Sequence, residues 1–284
     1  MEIAVLADIH GNVEAFQTCV NEAERRGVHS YIFLGDYLGD MAYPQKTLAL
    51  LKALRRACDC LFIRGNKENY WIGHRNDPTE DWAYGRSATG MLRYNFDRLT
   101  GEDIDFFERM PISAVVHHDG LPDLTVCHGS PFQVNQSMRS DYAYIDGLVL
   151  RLPTALTVCG HFHIQTDYVR NGKRVVNPGS VGVPLHSGGK TQFLILHGHD
   201  GSWEPEFLSL AYDRAGTIRE MQEEGLDQKA PGWYRITKHL LETGETSHAT
   251  VVRRVAELYQ EDTGEAAPRD IPEKYWEMAV SELT

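Results

Sequence analysis

The chain begins with a continuous apolar run at residues 3–7, the pattern of a strand covered on both faces. Asn12 then stands where a helix needs its cap, and Val13, Phe16, Val20 and Ala23 recur on one face until Gly27. Residues 31–34 read as a second strand. Pro44 opens a second helix with Leu48, Leu51 and Leu54 on its buried side, and residues 61–63 make a third strand. This alternation predicts a layered α/β domain. The polar and aromatic stretch 67–98 reads as helices and loops lying over the sheet.

Farther along, short β-branched or apolar runs at 114–117, 124–127, 155–159, 175–176 and 193–196 are separated by turns, and they predict a second sheet facing the first. Past about residue 212 the strand signals stop. Segments 213–223, 233–241, 249–259 and 272–283 are helical in pattern, with polar breaks at 242–247 and 261–269. The expected division is a catalytic-type domain over 1–212 and a helical C-terminal extension over 213–284 packed onto it.

Composition narrows the partners. With 40 acidic and 28 basic residues the formal charge is −12, which disfavours nonspecific attraction to nucleic acid or anionic lipid. An anionic substrate would need a local positive charge, which bound metal supplies. No run approaches the roughly 18–20 uninterrupted apolar residues of a membrane span. The N-terminus lacks the basic, apolar and cleavage pattern of a leader, so a cytoplasmic protein is expected. The five cysteines are odd in number and irregularly spaced, and they read as reduced. Cys127 and Cys159, which precede His128 and Gly160, read as small buried hydrophobes and not as thiolate ligands.

The chemistry gathers at strand ends. The first strand runs into Asp8-Ile9-His10-Gly11-Asn12, which offers two good ligands for a borderline divalent ion. The second ends in Gly35-Asp36 and the third in Gly65-Asn66, each glycine permitting a sharp turn that exposes the neighbouring oxygen ligand. Runs 124–127 and 155–159 lead into His128-Gly129-Ser130 and Gly160-His161-Phe162-His163. Polar side chains are thereby delivered to one edge of the sheets, where α/β proteins place their sites.

This series, Asp8-x-His10, Gly35-Asp36, Gly65-Asn66, His128 and Gly160-His161-x-His163, resembles the calcineurin-like metallophosphoesterase superfamily, and within it the small prokaryotic phosphodiesterases. The resemblance covers roughly residues 1–210, and Asn177-Pro178-Gly179-Ser180 is similar to a late motif of that subgroup. It implies a four-layer αββα sandwich of two facing mixed sheets. It also implies that Asp8, His10 and His163 bind one metal, that Asn66, His128 and His161 bind a second, and that Asp36 bridges both. A carboxylate can span ions about 3.5–4 Å apart, as two-metal hydrolytic sites require, and the paired ions would activate water near neutral pH. The donor set suits manganese, with iron, cobalt, nickel or zinc as alternatives.

In the family a histidine commonly follows the asparagine; here that position is Lys67. Lysine can hold a phosphate oxygen but is a poor proton donor near pH 7, so good leaving groups are favoured. Asp36, Asn66 and Lys67 are the expected catalytic residues, and Asn66, Lys67 and His128 the expected contacts to substrate. The resemblance implies hydrolysis of a small phosphodiester or a nucleotide phosphoanhydride, and includes hydrolases of diadenosine polyphosphates. Alternatives are a phosphomonoesterase or protein phosphatase, a non-catalytic protein-binding module on the same fold, and a single-metal structural site. A homodimer is a further expectation.

Other polar residues compete for attention. Ser130 and Ser180 read as turn formers. His197-Gly198-His199 opens an Asp-Gly turn, and His117 and His118 precede another. His74, Arg75, Arg86 and Arg93 could line a substrate cleft or lie on a solvated helix face.

Overall fold

The computed structural model describes residues 1–268 and 270–284. Its first part alternates as the pattern predicts: β1 (Glu2–Leu6), α1 (Val13–Arg25), β2 (Ser30–Phe33), α2 (Pro44–Ala57) and β3 (Asp59–Phe62). These three strands pair in parallel, so their C-terminal ends share one edge. Asn12 caps α1 by accepting the amide of Ala15 at 3.2 Å, and Pro44 occupies the first turn of α2. Next come α3 (Asn66–Asn76), α4 (Gly90–Phe96) and α5 (Gly101–Glu108).

The second part holds β4 (Ser113–Val116), β5 (Leu124–Cys127), α6 (Ile145–Leu150), β6 (Leu156–Cys159), β7 (Gln165–Arg170), β8 (Lys173–Pro178), β9 (Thr191–His199) and β10 (Ser202–Leu210). The strands form two mixed five-stranded sheets, ordered β10-β9-β1-β2-β3 and β4-β5-β6-β8-β7. This corrects the sequence reading twice. The run 193–196 lies in the first sheet, where β9 pairs antiparallel with β1 and Ala4 faces Ile195. An apolar run fits any doubly covered strand, so its pattern could not say which sheet it enters. Strands β7 and β10 were not anticipated, because both are edge strands with many polar residues, and β10 carries Pro205, which an edge tolerates.

The layers follow from the period of two along β1. Ile3, Val5 and Ala7 enter the cluster between the sheets, with Val126, Val158 and Val176 of the second sheet. Ala4 and Leu6 face the opposite way, into the cluster that holds Phe16 and Leu48 of α1 and α2. On the outer face of the second sheet, Ile145, Leu148 and Val149 of α6 cover Cys127, Cys159 and Val175. The result is a four-layer αββα sandwich. Each buried aliphatic side chain contributes roughly 1.5–3 kcal/mol relative to exposure. All five cysteines are free, and burial pushes the Cys159 thiol up to about 12, which suits a packing role.

The remaining helices are α7 (Arg214–Glu223), α8 (Leu226–Lys229), α9 (Pro231–Thr243), α10 (His248–Thr263) and α11 (Glu273–Leu283). Ile236, Val251, Val255, Trp276 and Val280 give α9, α10 and α11 a core of their own. Met221, Leu226, Tyr234 and Leu240 pack on Met41, Met91, Tyr94 and Val183. The break expected at 261–269 begins later, since α10 runs on to Gly264 at φ 73°; Arg269, its last residue, lies outside the described residues. Among the described residues no helix is long and apolar enough to cross a membrane.

Candidate metal centre

The strand-end residues adopt an unusual backbone. Asp8 (φ 56°), His10 (52°), Asp36 (53°), His161 (76°) and His163 (59°) are all left-handed, a region that costs a non-glycine residue of order 1–3 kcal/mol. Such turns persist where neighbours hold them. Here the amide of Asp8 donates to the Gly35 carbonyl at 3.1 Å, and that of His10 to the Asp36 carbonyl at 2.9 Å. Ser180 Oγ donates to the Asp8 carbonyl at 2.7 Å, and Asn177 Nδ2 to the Gly160 carbonyl at 2.6 Å. The Asn177–Ser180 segment thus braces two turns that carry candidate ligands, through their backbones.

Two sets of donor atoms result. In the first, His163 Nε2 stands 3.2 Å from Asp8 Oδ1, while His10 Nε2 stands 3.8 Å from both Asp8 Oδ1 and Asp36 Oδ2. In the second, His128 Nε2 lies 3.0 Å from Asn66 Oδ1, 3.2 Å from His161 Nδ1 and 3.5 Å from Asp36 Oδ1. The two oxygens of Asp36 therefore address different sets. Nδ1–H of His128 donates to the Leu34 carbonyl at 2.6 Å, which fixes the tautomer and leaves Nε2 as an electron-pair donor. Asp8 Oδ2 accepts the amide of His161 at 2.9 Å, so Oδ1 alone is presented to the site.

Asp8, His10, Asp36 and His128 are all buried, and Asp8 Oδ1 and His10 Nε2 have no hydrogen-bond partner among the described residues. Orphaned buried donors and acceptors converging from separate loops are costly unless a ligand joins them. The mixed carboxylate, amide and imidazole set fits divalent transition metals. Burial disfavours the Asp8 carboxylate charge, yet His163 and His128 outweigh it and hold the group well below the usual range. Burial likewise opposes charge on His10, but Asp40, Asp8 and Asp36 push it up to about 10.

Several residues that shape the site were not foreseen. Asp40 Oδ2 stands 2.6 Å from His10 Nδ1, and its other oxygen accepts from Lys67 Nζ at 3.1 Å and Trp233 Nε1 at 2.8 Å. Its sequence signal was a second Gly-Asp pair four residues after Gly35-Asp36. Glu68 accepts the amides of Gly65 (2.8 Å), Asp36 (3.0 Å) and Tyr37 (2.9 Å), which ties two candidate-ligand turns together. Burial, followed by the charge of Asp36, raises its carboxyl to about 7. Nothing local in the sequence marks Trp233, which arrives from α9.

Gly35, at φ 89°, makes the turn expected of it. Gly65 has an extended backbone instead; its need is space, since a Cβ there would collide with Asp36 Oδ1 and Glu68 Oε2. Lys67 is at the lip of the site. Its amide donates to Asp36 Oδ1 at 2.8 Å, and its ammonium lies 4.9 Å from the Trp233 ring centre. Burial lowers the Lys67 pKa, but Asp40 and Asp36 override it and the net shift is upward.

The other polar residues have local employment. His197 pairs with Glu2 and Glu206, each at 3.0 Å; His199 precedes the Asp200-Gly201 turn; His117 pairs with Asp123 at 2.7 Å. His74 stacks on Trp82 at 3.9 Å, Arg75 bonds Asp105 and Glu108, Arg86 bonds Asp270, and Arg93 bonds Asp97. Ser130 Oγ accepts the amides of Phe132 and Gln133, as a turn former does.

Oxygen and imidazole donors assembled at the strand ends of an αββα sandwich define a metal-dependent phosphoester hydrolase. The chain belongs to the calcineurin-like phosphoesterase superfamily, whose domain model matches residues 1–201. An uncharacterized protein of Methanocaldococcus jannaschii is 25% identical over 248 residues, 81% of this chain and 94% of that one. Among solved structures, a hypothetical protein from Pyrococcus horikoshii aligns with a TM-score of 0.71 at 20% identity, covering 87% of this chain and 99% of that one. A metallophosphoesterase from Sphaerobacter thermophilus aligns at 0.68 and 22% identity, covering 86% of this chain and all (100%) of that one. These likenesses show a shared fold.

Proposed function

We propose that the chain hydrolyses a small phosphodiester or a nucleotide phosphoanhydride at a dinuclear centre. Asp8, His10 and His163 would hold one ion and Asn66, His128 and His161 the other, with Asp36 shared between them. The observation that carries this reading is the placement of Asp36, with Oδ2 3.8 Å from His10 Nε2 and Oδ1 3.5 Å from His128 Nε2. Two divalent ions held there would supply Lewis acidity toward the phosphoryl oxygens and would lower the pKa of water so that hydroxide is available near neutral pH.

The chain's own groups do the rest. Asn66 contributes its amide oxygen, which adds no charge. Lys67, kept cationic by Asp40, orients a phosphoryl oxygen at the lip as a point charge. Its raised pKa makes it a poor proton donor, so turnover favours esters whose leaving group departs as a stable anion. Manganese is the metal we expect to support turnover.

The test is hydrolysis of bis-p-nitrophenyl phosphate, p-nitrophenyl phosphate and diadenosine tetraphosphate by chelator-stripped protein with and without manganese. Manganese-dependent turnover of the diester or the dinucleotide supports the reading. Preference for the monoester would move the assignment to a phosphomonoesterase, and silence on all three with metal bound would favour a non-catalytic binding module.

A further inference from the structure

Beside the metal centre, with Lys67 common to both, lies a cavity of about 480 Å³. That volume falls within the roughly 300–1,000 Å³ of small-molecule sites. Its walls come from the segment after Asn66 and from the C-terminal helices, and they are mainly apolar: Trp82, Met91, Trp233, Ile271 and Trp276, with Tyr70 at the edge. Among the described residues Lys67 is the one basic side chain in the lining.

Two observations separate this cavity from a packing gap. Trp276 is 3% exposed, yet its indole N–H has no hydrogen-bond partner among the described residues. A buried donor of this kind is costly to leave unpaired, and a ligand acceptor would satisfy it. The aromatic walls are also held in place. Trp82 is stacked on His74 at 3.9 Å, Trp233 on His248 at 4.5 Å, and Trp233 Nε1 is fixed on Asp40.

We infer that this pocket receives an aromatic ring bearing a hydrogen-bond acceptor, carried by the same molecule whose phosphoryl group enters the metal centre. The substrate class is thus phosphoesters of heteroaromatic or acceptor-bearing aryl groups, nucleotides among them. The inference rests on the hydrolase reading above for the position of the phosphoryl group, with Lys67 at the junction. It gives the C-terminal helices a part in substrate selection.

Calorimetry on the manganese-loaded full chain tests it with 4-nitrobenzylphosphonate, benzylphosphonate and methylphosphonate, whose C–P bonds resist hydrolysis. The nitrobenzyl compound should bind at least about tenfold more tightly than methylphosphonate, as ring stacking provides. Ala256→Phe, which fills the cavity from α10, should reduce that ratio to near one. Val252→Trp does the same from a position 39% exposed, and carries the test if the first variant fails to fold. Trp276→Phe keeps a ring but removes the N–H, so it should weaken the nitrobenzyl compound several-fold and leave benzylphosphonate unchanged.

Equal affinity of the aryl and methyl compounds for the wild type, or no binding of either, overturns the pocket. Turnover of bis-p-nitrophenyl phosphate, p-nitrophenyl phosphate and diadenosine tetraphosphate is measured in parallel. Turnover with equal phosphonate affinities overturns the pocket and keeps the hydrolase reading. Cavity-dependent aryl affinity without turnover overturns the hydrolase reading and keeps the pocket.

Discussion

Asp40 Oδ2 stands 2.6 Å from His10 Nδ1, while the opposite ring nitrogen, Nε2, faces Asp8 and Asp36 at 3.8 Å each. A carboxylate behind a ligating histidine fixes the ring's orientation and raises its basicity. Replacing Asp40 with asparagine should weaken metal binding about 10–100-fold, the usual effect of losing such a partner. The check is metal content after dialysis against buffered free manganese, with circular dichroism to verify the fold. Unchanged affinity would mean that Asp40 serves packing alone.

His10 also sets a pH dependence. Its pKa is opposed by burial but pushed up by Asp40, Asp8 and Asp36, from 6.5 to about 10 in the metal-free protein. A group raised in this way contributes stability that is fully present below pH 6.5 and lost as the pH climbs through about 10. With His10 Nε2 as a ligand, as proposed, metal would displace that proton, so binding at pH 7.5 should release up to about one proton from His10, and apparent affinity should rise with pH. Titration calorimetry in two buffers of different ionisation enthalpy measures the release. Identical heats in both would refute it.

Two glycines of α3 and its entry provide a contrast. A Cβ at Gly65 would meet Asp36 Oδ1, whereas one at Gly73 would meet nothing within 4 Å among the described residues. Gly65→Ala should therefore displace Asp36 and lower metal occupancy. Gly73→Ala should leave occupancy intact and stabilise the protein by about 0.5–1 kcal/mol through helix propensity. Thermal melts and metal analysis of the two variants are the measurements. Loss of metal in the Gly73 variant, or its retention in the Gly65 variant, would contradict the geometry.

Much of this was legible in the chain because each candidate ligand follows a short strand whose apolar residues announce it. Asp8, Asp36, Asn66, His128, His161 and His163 all sit just past such runs, and parallel pairing of β1, β2 and β3 aligns three of their ends. What sequence could not convey was tertiary. The membership of β9 in the first sheet depends on which edge of β1 is free, and apolar patterning carries no such information. Asp40 drew no notice in the sequence, and only the fold sets it behind His10. Trp233 joins that network from nearly two hundred residues away, |i−j| = 193 from Asp40. Gly65 was read for backbone freedom, but its requirement is the space taken by Asp36.

The central claim, that Asp36 joins two ions in one hydrolytic centre, is tested most directly by titrating chelator-stripped protein with manganese while following bis-p-nitrophenyl phosphate hydrolysis. Activity should saturate near two equivalents per chain. Asp36→Asn should lose on the order of a thousandfold or more of the rate, comparable to removing a principal electrostatic group, with little change in melting temperature. Saturation at one equivalent, activity indifferent to chelation, or an Asp36→Asn variant with wild-type turnover would contradict the account.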